Sequence, residues 1–166
     1  MTIAVFAGCR YIDAGRWWWP ALDAVRDEHG ITELWHGACS LDHDCPEKLA
    51  GADAGVDLWA RARALTVRMF PAPWALYRRA GLDPKSAGMR RVADMLRGDR
   101  GYEIIDGRVV TTETVQGSPA LVVCLPGGPG TQGTAKVGER LGLPVVRVAY
   151  QHKPGVPRVV NSHHYA

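Results

Sequence analysis

The apolar positions of this chain fall into short runs divided by stretches of helical spacing. Residues 2–7 form a β-branched and apolar run that ends at Gly8-Cys9-Arg10, which predicts a buried strand feeding a turn. Similar runs at residues 31–35, 67–70, 121–125 and 144–149 predict four more strands. Between them the spacing becomes helical. Asp13 can cap a helix reaching about His29, with Gly30 as its stop. Pro20 leaves two readings: a kink in that helix, or a start near Trp19 with Pro20 in the first turn. Residues 51–65 carry Val56, Leu58, Trp59, Ala62 and Leu65 as an apolar stripe. Pro84 and Ser86 open a helix whose apolar side is Met89, Val92, Ala93, Met95 and Leu96. Residues 74–79 give one or two turns, and residues 132–141 a last helix before Gly142. This alternation predicts one α/β domain over residues 1–150, a parallel sheet flanked by helices. One piece departs from it. Residues 102–110 hold Asp106-Gly107 between two β-favouring runs, the signature of an inserted hairpin. Residues 151–166 show no period and read as a C-terminal tail.

Composition changes this picture little. The 166 residues are 46% hydrophobic and 22% charged, ordinary globular values for one domain with a core. A net charge of +3 does not by itself argue for nucleic acid. No apolar run approaches membrane-spanning length, and no basic region precedes an apolar signal core. The expectation is a cytoplasmic protein with no membrane association, whose Cys9, Cys39, Cys45 and Cys124 are thiols or ligands and not disulfides. Trp17, Trp18 and Trp19 cannot all face one core, since consecutive helical residues point about 100° apart. At least one is expected at the surface or in a contact between copies, as in a homodimer or higher homo-oligomer.

The candidate chemistry gathers on one edge. In parallel α/β sheets, ligands bind beyond the carboxyl ends of the strands. Three glycine-containing turns follow predicted strands: Gly8-Cys9-Arg10, His36-Gly37-Ala38, and residues 127–131. The last has the layout of a strand, a glycine cluster and a helix start. Gly127, Gly128, Gly130 and Thr131 can hold a phosphate by backbone N–H groups and a hydroxyl. Arg10 and Arg91 can form forked pairs with phosphate. Asp53 can accept from ribose hydroxyls or act as a base, and as plain structure it is a helix cap. Trp74 can stack on a base or serve as a core aromatic. His36, Cys39, His43 and Cys45 offer two imidazoles and two thiols within ten residues, the material of a zinc set, but in H-x2-C-x3-H-x-C spacing without the usual paired halves. No G-x-x-x-x-G-K-[ST], G-x-G-x-x-G or G-x-S-x-G motif is present, and no cofactor is implied.

Taken in order, these motifs resemble the SLOG superfamily and, within it, the YspA/cpYpsA-related family. The resemblance rests on Gly8-Cys9-Arg10, His36-Gly37-Ala38, Gly51-Ala52-Asp53 with Trp59-Ala60, Phe70-Pro71-Ala72-Pro73-Trp74, Gly88-Met89-Arg90-Arg91, Met95-Leu96, and residues 126–131, and covers residues 2–149. It implies a Rossmann-like sheet of order 3-2-1-4-5 and a nucleotide or nucleotide-derived ligand, phosphoribosyl or NAD-related. Some relatives act in conflict between phages and bacteria. The chain departs from the pattern at Val92, where the family carries Asn, in the long loop before Gly51, and in the hairpin. The related LOG hydrolases cleave nucleoside monophosphates and carry a Glu where Thr134 stands here. The resemblance thus implies a sensing or sequestering module. Two alternatives accompany it: an N-glycosidic hydrolase or transferase using Asp53, and a single-strand DNA binder of the DprA branch. The charge balance disfavours the DNA binder.

Overall fold

The computed structural model describes residues 1–12, 15–41, 48–150 and 157–161, with side chains through Val148. Its elements run β1 (Thr2–Ala7), α1 (Trp19–His29), β2 (Ile31–His36), α2 (Gly51–Ala62), β3 (Thr66–Met69), α3 (Trp74–Arg79), α4 (Pro84–Arg97), β4 (Asp99–Ile105), β5 (Arg108–Thr114), β6 (Pro119–Cys124), α5 (Pro129–Arg140), β7 (Val145–Tyr150) and β8 (Pro157–Asn161). Strands β3-β2-β1-β6-β7 form a parallel sheet in that order, the Rossmann-like arrangement expected from the sequence. Within residues 151–166, expected as a C-terminal tail, one strand is described. β8 pairs antiparallel with β7, Arg147 facing Val160, and extends the sheet to six strands.

β1 is central because every one of its inner residues is apolar. Successive side chains of a strand point to opposite faces. Ala4 and Phe6 therefore enter one core layer, with Leu22 and Val25 of α1 and Val56 and Trp59 of α2. Ile3 and Val5 enter the other, with Met95 and Leu96 of α4 and Ala135 of α5. A sheet covered on both faces needs such unbroken apolar runs.

Of the two readings around Pro20, the later helix start holds. Residues 16–18 make a single 3-10 turn, α1 begins at Trp19 with Pro20 in its first turn, and Gly30 ends it at φ 63°. Asp13, the expected cap, lies outside the described residues. Trp18 is fully buried, while Trp17 and Trp19 are half-buried and pack against the same core. Trp19 lies under two guanidinium groups, Arg16 at 5.3 Å and Arg63 at 5.0 Å from its ring centre. Arg63 also makes a forked pair to Asp23, at 2.8 and 2.7 Å, and Asp23 takes the indole N–H of Trp59 at 3.0 Å, which ties α1 to α2. Three stripe residues face outward, contrary to expectation: Leu58 is 55% exposed, Met89 78%, and Ala62 is exposed as well. In α2 the buried apolar side is carried by Ala52, Val56, Trp59 and Ala60, and in α4 by Val92, Met95 and Leu96, and these three lie outside it.

The hairpin forms as expected. Asp106 and Gly107 both take positive φ, 50° and 74°, the requirement of the two-residue turn whose twist suits a hairpin. β4 and β5 pair only with each other. Two polar ties hold them to the domain. Arg100 forks onto Glu113 at 2.9 and 2.7 Å and donates to the Met69 carbonyl at 3.2 Å, at the end of β3. Asp94, 1% exposed in α4, accepts from Arg90 at 2.7 Å, from Arg97, and from the Tyr102 hydroxyl at 3.1 Å. Removing the carboxylate would leave these donors facing a buried gap. Asp94→Ala is expected to cost about 2–3 kcal/mol, read as a lower urea midpoint with unchanged slope.

Candidate functional site

The chain order reverses between β1 and β6: it runs outward through β2 and β3 on one side, and through β7 on the other. At that switch point, beyond the carboxyl ends of both strands, a cleft of ≈ 240 Å³ opens. Its position follows the general rule for open α/β sheets. Gly8, Arg10, Asp53, Arg91, Gly128, Gly130 and Thr131 all line it, as the sequence predicts for a binding edge.

One wall is the start of α5. Gly128 caps this helix without a side-chain acceptor, Pro129 occupies the first turn, and no acidic residue stands there. Gln132 is the first residue whose N–H reaches back, to Gly128 at 3.1 Å. The N–H groups of Gly130 and Thr131 therefore have no acceptor among the described residues, and they lie at the positive end of the helix dipole. Thr134 is 3% exposed and turns its hydroxyl back onto the Gly130 carbonyl at 3.1 Å.

Another part of the lining is Arg91, from α4. Its Nε is buried without a hydrogen-bond partner, and no described carboxylate pairs with it. Its guanidinium rests directly on Gly37, where a Cβ would fall 1.5 Å from Nη1. Gly37 does not line the cleft and is the seat of Arg91. Gly127 is likewise outside the lining. A Cβ there would meet Thr131 Oγ1 at 2.0 Å and the Cys9 nitrogen at 3.0 Å, so this glycine serves close packing behind the cleft.

The floor is built by β2 and α2. His36 is fully buried beneath the cleft and does not line it. Ala38 donates its N–H to His36 Nδ1 at 3.1 Å, and His36 Nε2 lies 3.2 Å from Asp57 Oδ1. Nδ1 therefore carries no proton, and Nε2–H donates to the carboxylate. Burial opposes ionisation of Asp57, but the bonds from His36 and Arg61 outweigh it and hold the carboxyl at about 2. Asp53 is not the helix cap. Ala50 holds that place, and Asp53 stands in the first turn, 5% exposed, accepting the Cys39 N–H at 2.7 Å. Burial first, and then Asp53, push the Cys39 thiol up, which disfavours the reactive thiolate.

Of the zinc set, His43 and Cys45 lie outside the described residues, and His36 spends both ring nitrogens within the chain. Among the described residues no cluster of three or more potential ligands can hold a metal ion. Trp74 stands apart, in a neighbouring cavity. The sequence reading missed Cys9, Tyr11, Cys39 and Thr134 as lining residues. It also missed Asp57, although its spacing of four from Asp53 places both carboxylates on the helix face turned to His36.

No protein-family model matches the chain, and no curated protein matches its sequence. The geometry of the cleft therefore carries the functional reading.

Two outcomes test this site. Gly37→Ala has an ordinary backbone conformation to occupy, so the fold should persist while Arg91 is displaced, and affinity for phosphate-bearing ligands should fall about tenfold by calorimetry. Asp57 is more acidic folded than unfolded, so its contribution to stability is present above about pH 4 and lost as pH falls toward about 2. Wild type should lose urea resistance across that window more steeply than Asp57→Asn.

Proposed function

We propose that this chain is a nucleotide-binding module of SLOG type. It takes a nucleotide or nucleotide-derived ligand, phosphoribosyl or NAD-related, by its phosphate in the cleft above β1 and β6. The observation that carries this is the presence of two unpaired donor sets in the lining of one small cleft: the Gly130 and Thr131 N–H groups, and Arg91, whose Nε has no partner. Helix N-termini and arginine forks are the usual means of holding phosphate. The motif order supports the same family. The module works in the cytoplasm as a sensor or sequestering protein, of the kind used between phages and bacteria. The half-exposed Trp17 and Trp19 are where copies would pair.

A second reading, hydrolysis of the N-glycosidic bond, draws on one observation: Asp53 is a carboxylate in the same cleft. Two others favour binding without cleavage. An oxocarbenium-like state needs a carboxylate beside the sugar, and the position where LOG relatives carry Glu is Thr134, whose hydroxyl is engaged on its own helix. Glu139 lies 3.7 Å from Arg147 and does not line the cleft. Asp53 itself holds the Cys39 backbone.

The test is calorimetry with AMP, other nucleoside monophosphates and NAD, alongside chromatography for free base. Saturable binding is expected, weakened at least about tenfold in Arg91→Ala and blocked in Gly128→Val. That variant should fold, because a Cβ at Gly128 meets nothing within 4 Å. Affinity unchanged in both variants would place the site elsewhere. Steady turnover that vanishes in Asp53→Asn would establish the enzyme instead.

A further inference from the structure

A second cavity, of ≈ 450 Å³, lies on the same carboxyl edge of the sheet, beyond the ends of β2 and β3. Its walls are Pro71 and Pro73 after β3, Trp74 and Arg79 of α3, and Gly101 and Tyr102 of the hairpin. It adjoins the phosphate cleft along residues 38–40. Ala38 and Ser40 line the second cavity, and Cys39, between them, lines the first. That segment is held in place. Ala38 sits at φ 50° with its N–H on His36, and the Cys39 N–H is on Asp53.

The two cavities divide the work a nucleotide requires. At ≈ 240 Å³ the first is smaller than the ~300–1,000 Å³ common for small-molecule sites. It suits a phosphate and the adjoining sugar, and it offers donors and charge. The second offers flat and apolar walls, the surroundings a base prefers. Strands in a sheet lie about 4.8 Å apart, so the step from between β1 and β6 to between β2 and β3 is about 10 Å. Trp74 is fixed for this role, because α3 packs its indole against Gly88 of α4, where a Cβ would come within 2.8 Å of the ring.

We infer that the second cavity is the base subsite of the same ligand, and that the inserted hairpin is the element that completes it. This rests on the phosphate site proposed above. The hairpin has no place in the main sheet, yet its Gly101-Tyr102 segment lines the cavity together with Trp74, and Tyr102 is anchored on Asp94. The ligand is then a nucleotide selected by its base, and not any phosphorylated sugar.

The experiment compares ribose 5-phosphate with AMP, GMP, CMP and UMP by calorimetry on the full chain. At least one nucleotide should bind tenfold or more tighter than ribose 5-phosphate. Trp74→Ala should erase that preference while leaving ribose 5-phosphate affinity within twofold. A photoreactive 8-azido-AMP provides a measurement on the unaltered protein, and its adduct should map to residues 71–79 or 99–105. Equal affinity for ribose 5-phosphate and all four nucleotides, a preference that survives in a folded Trp74→Ala, or an adduct confined to residues 8–11 and 128–134 would each overturn the subsite and leave the phosphate site standing. If neither ribose 5-phosphate nor any nucleotide binds, the phosphate site falls, and this subsite with it.

Discussion

The ligand edge depends on how closely the turn after β1 approaches its neighbours. At Gly8 a Cβ would lie 2.3 Å from that of Ala52 and 3.0 Å from that of Leu125. The strand end is thus pressed at once against the start of α2 and the end of β6. The next residue fastens both sides: the Cys9 N–H donates to Pro126, and its carbonyl accepts from Ala52, each at 3.0 Å. Gly51 completes the contact, with its α-carbon against the Arg10 carbonyl at φ 58°. Side chains at either of these glycines would pry the start of α2 away from the strand end, and the cleft beside it would lose its shape.

Charge is arranged around that contact by backbone as much as by side chains. The positive end of α5 needs no ionisable group, and so keeps its character at any pH. Arg91 reaches the cleft only because Gly37 yields space for it. Beneath, the acidic residues are spent on structure. Asp57 orients His36, His36 orients Ala38, and Asp53 holds Cys39. The carboxylates nearest the cleft, Asp53 in its lining among them, thus stabilise its floor.

The fold was legible because β1 and β6 are apolar runs that only a doubly covered sheet accommodates, and because Asp106-Gly107 admits one turn type. Element existence was clear, but facing was less so. Leu58 and Met89 are apolar and near the right spacing, and hydrophobicity alone does not reveal that each falls just off the packed face. β8 was missed because a short antiparallel strand with prolines nearby has no period to detect. In the site, motif spacing found the edge and most of its lining. It did not separate Gly37 and Gly127, which lie outside the lining, from Gly8, Gly128 and Gly130, which form it, because a glycine spared for a neighbouring side chain looks the same in sequence as one spared for an open cleft. Asp53 as a backbone anchor, and His36 as a buried support, depend on contacts between segments far apart in the chain, which no local pattern encodes.

The tie from Arg100 to the Met69 carbonyl has a meaning beyond fastening the hairpin. β3 is a margin of the main sheet, and an unpaired margin is a template on which another chain can add a strand. This margin is only four residues long, its centre carries the cationic Arg68, and its last carbonyl is already engaged. The inserted hairpin thereby engages the end of that margin, at a place where the main sheet has no further strand among the described residues.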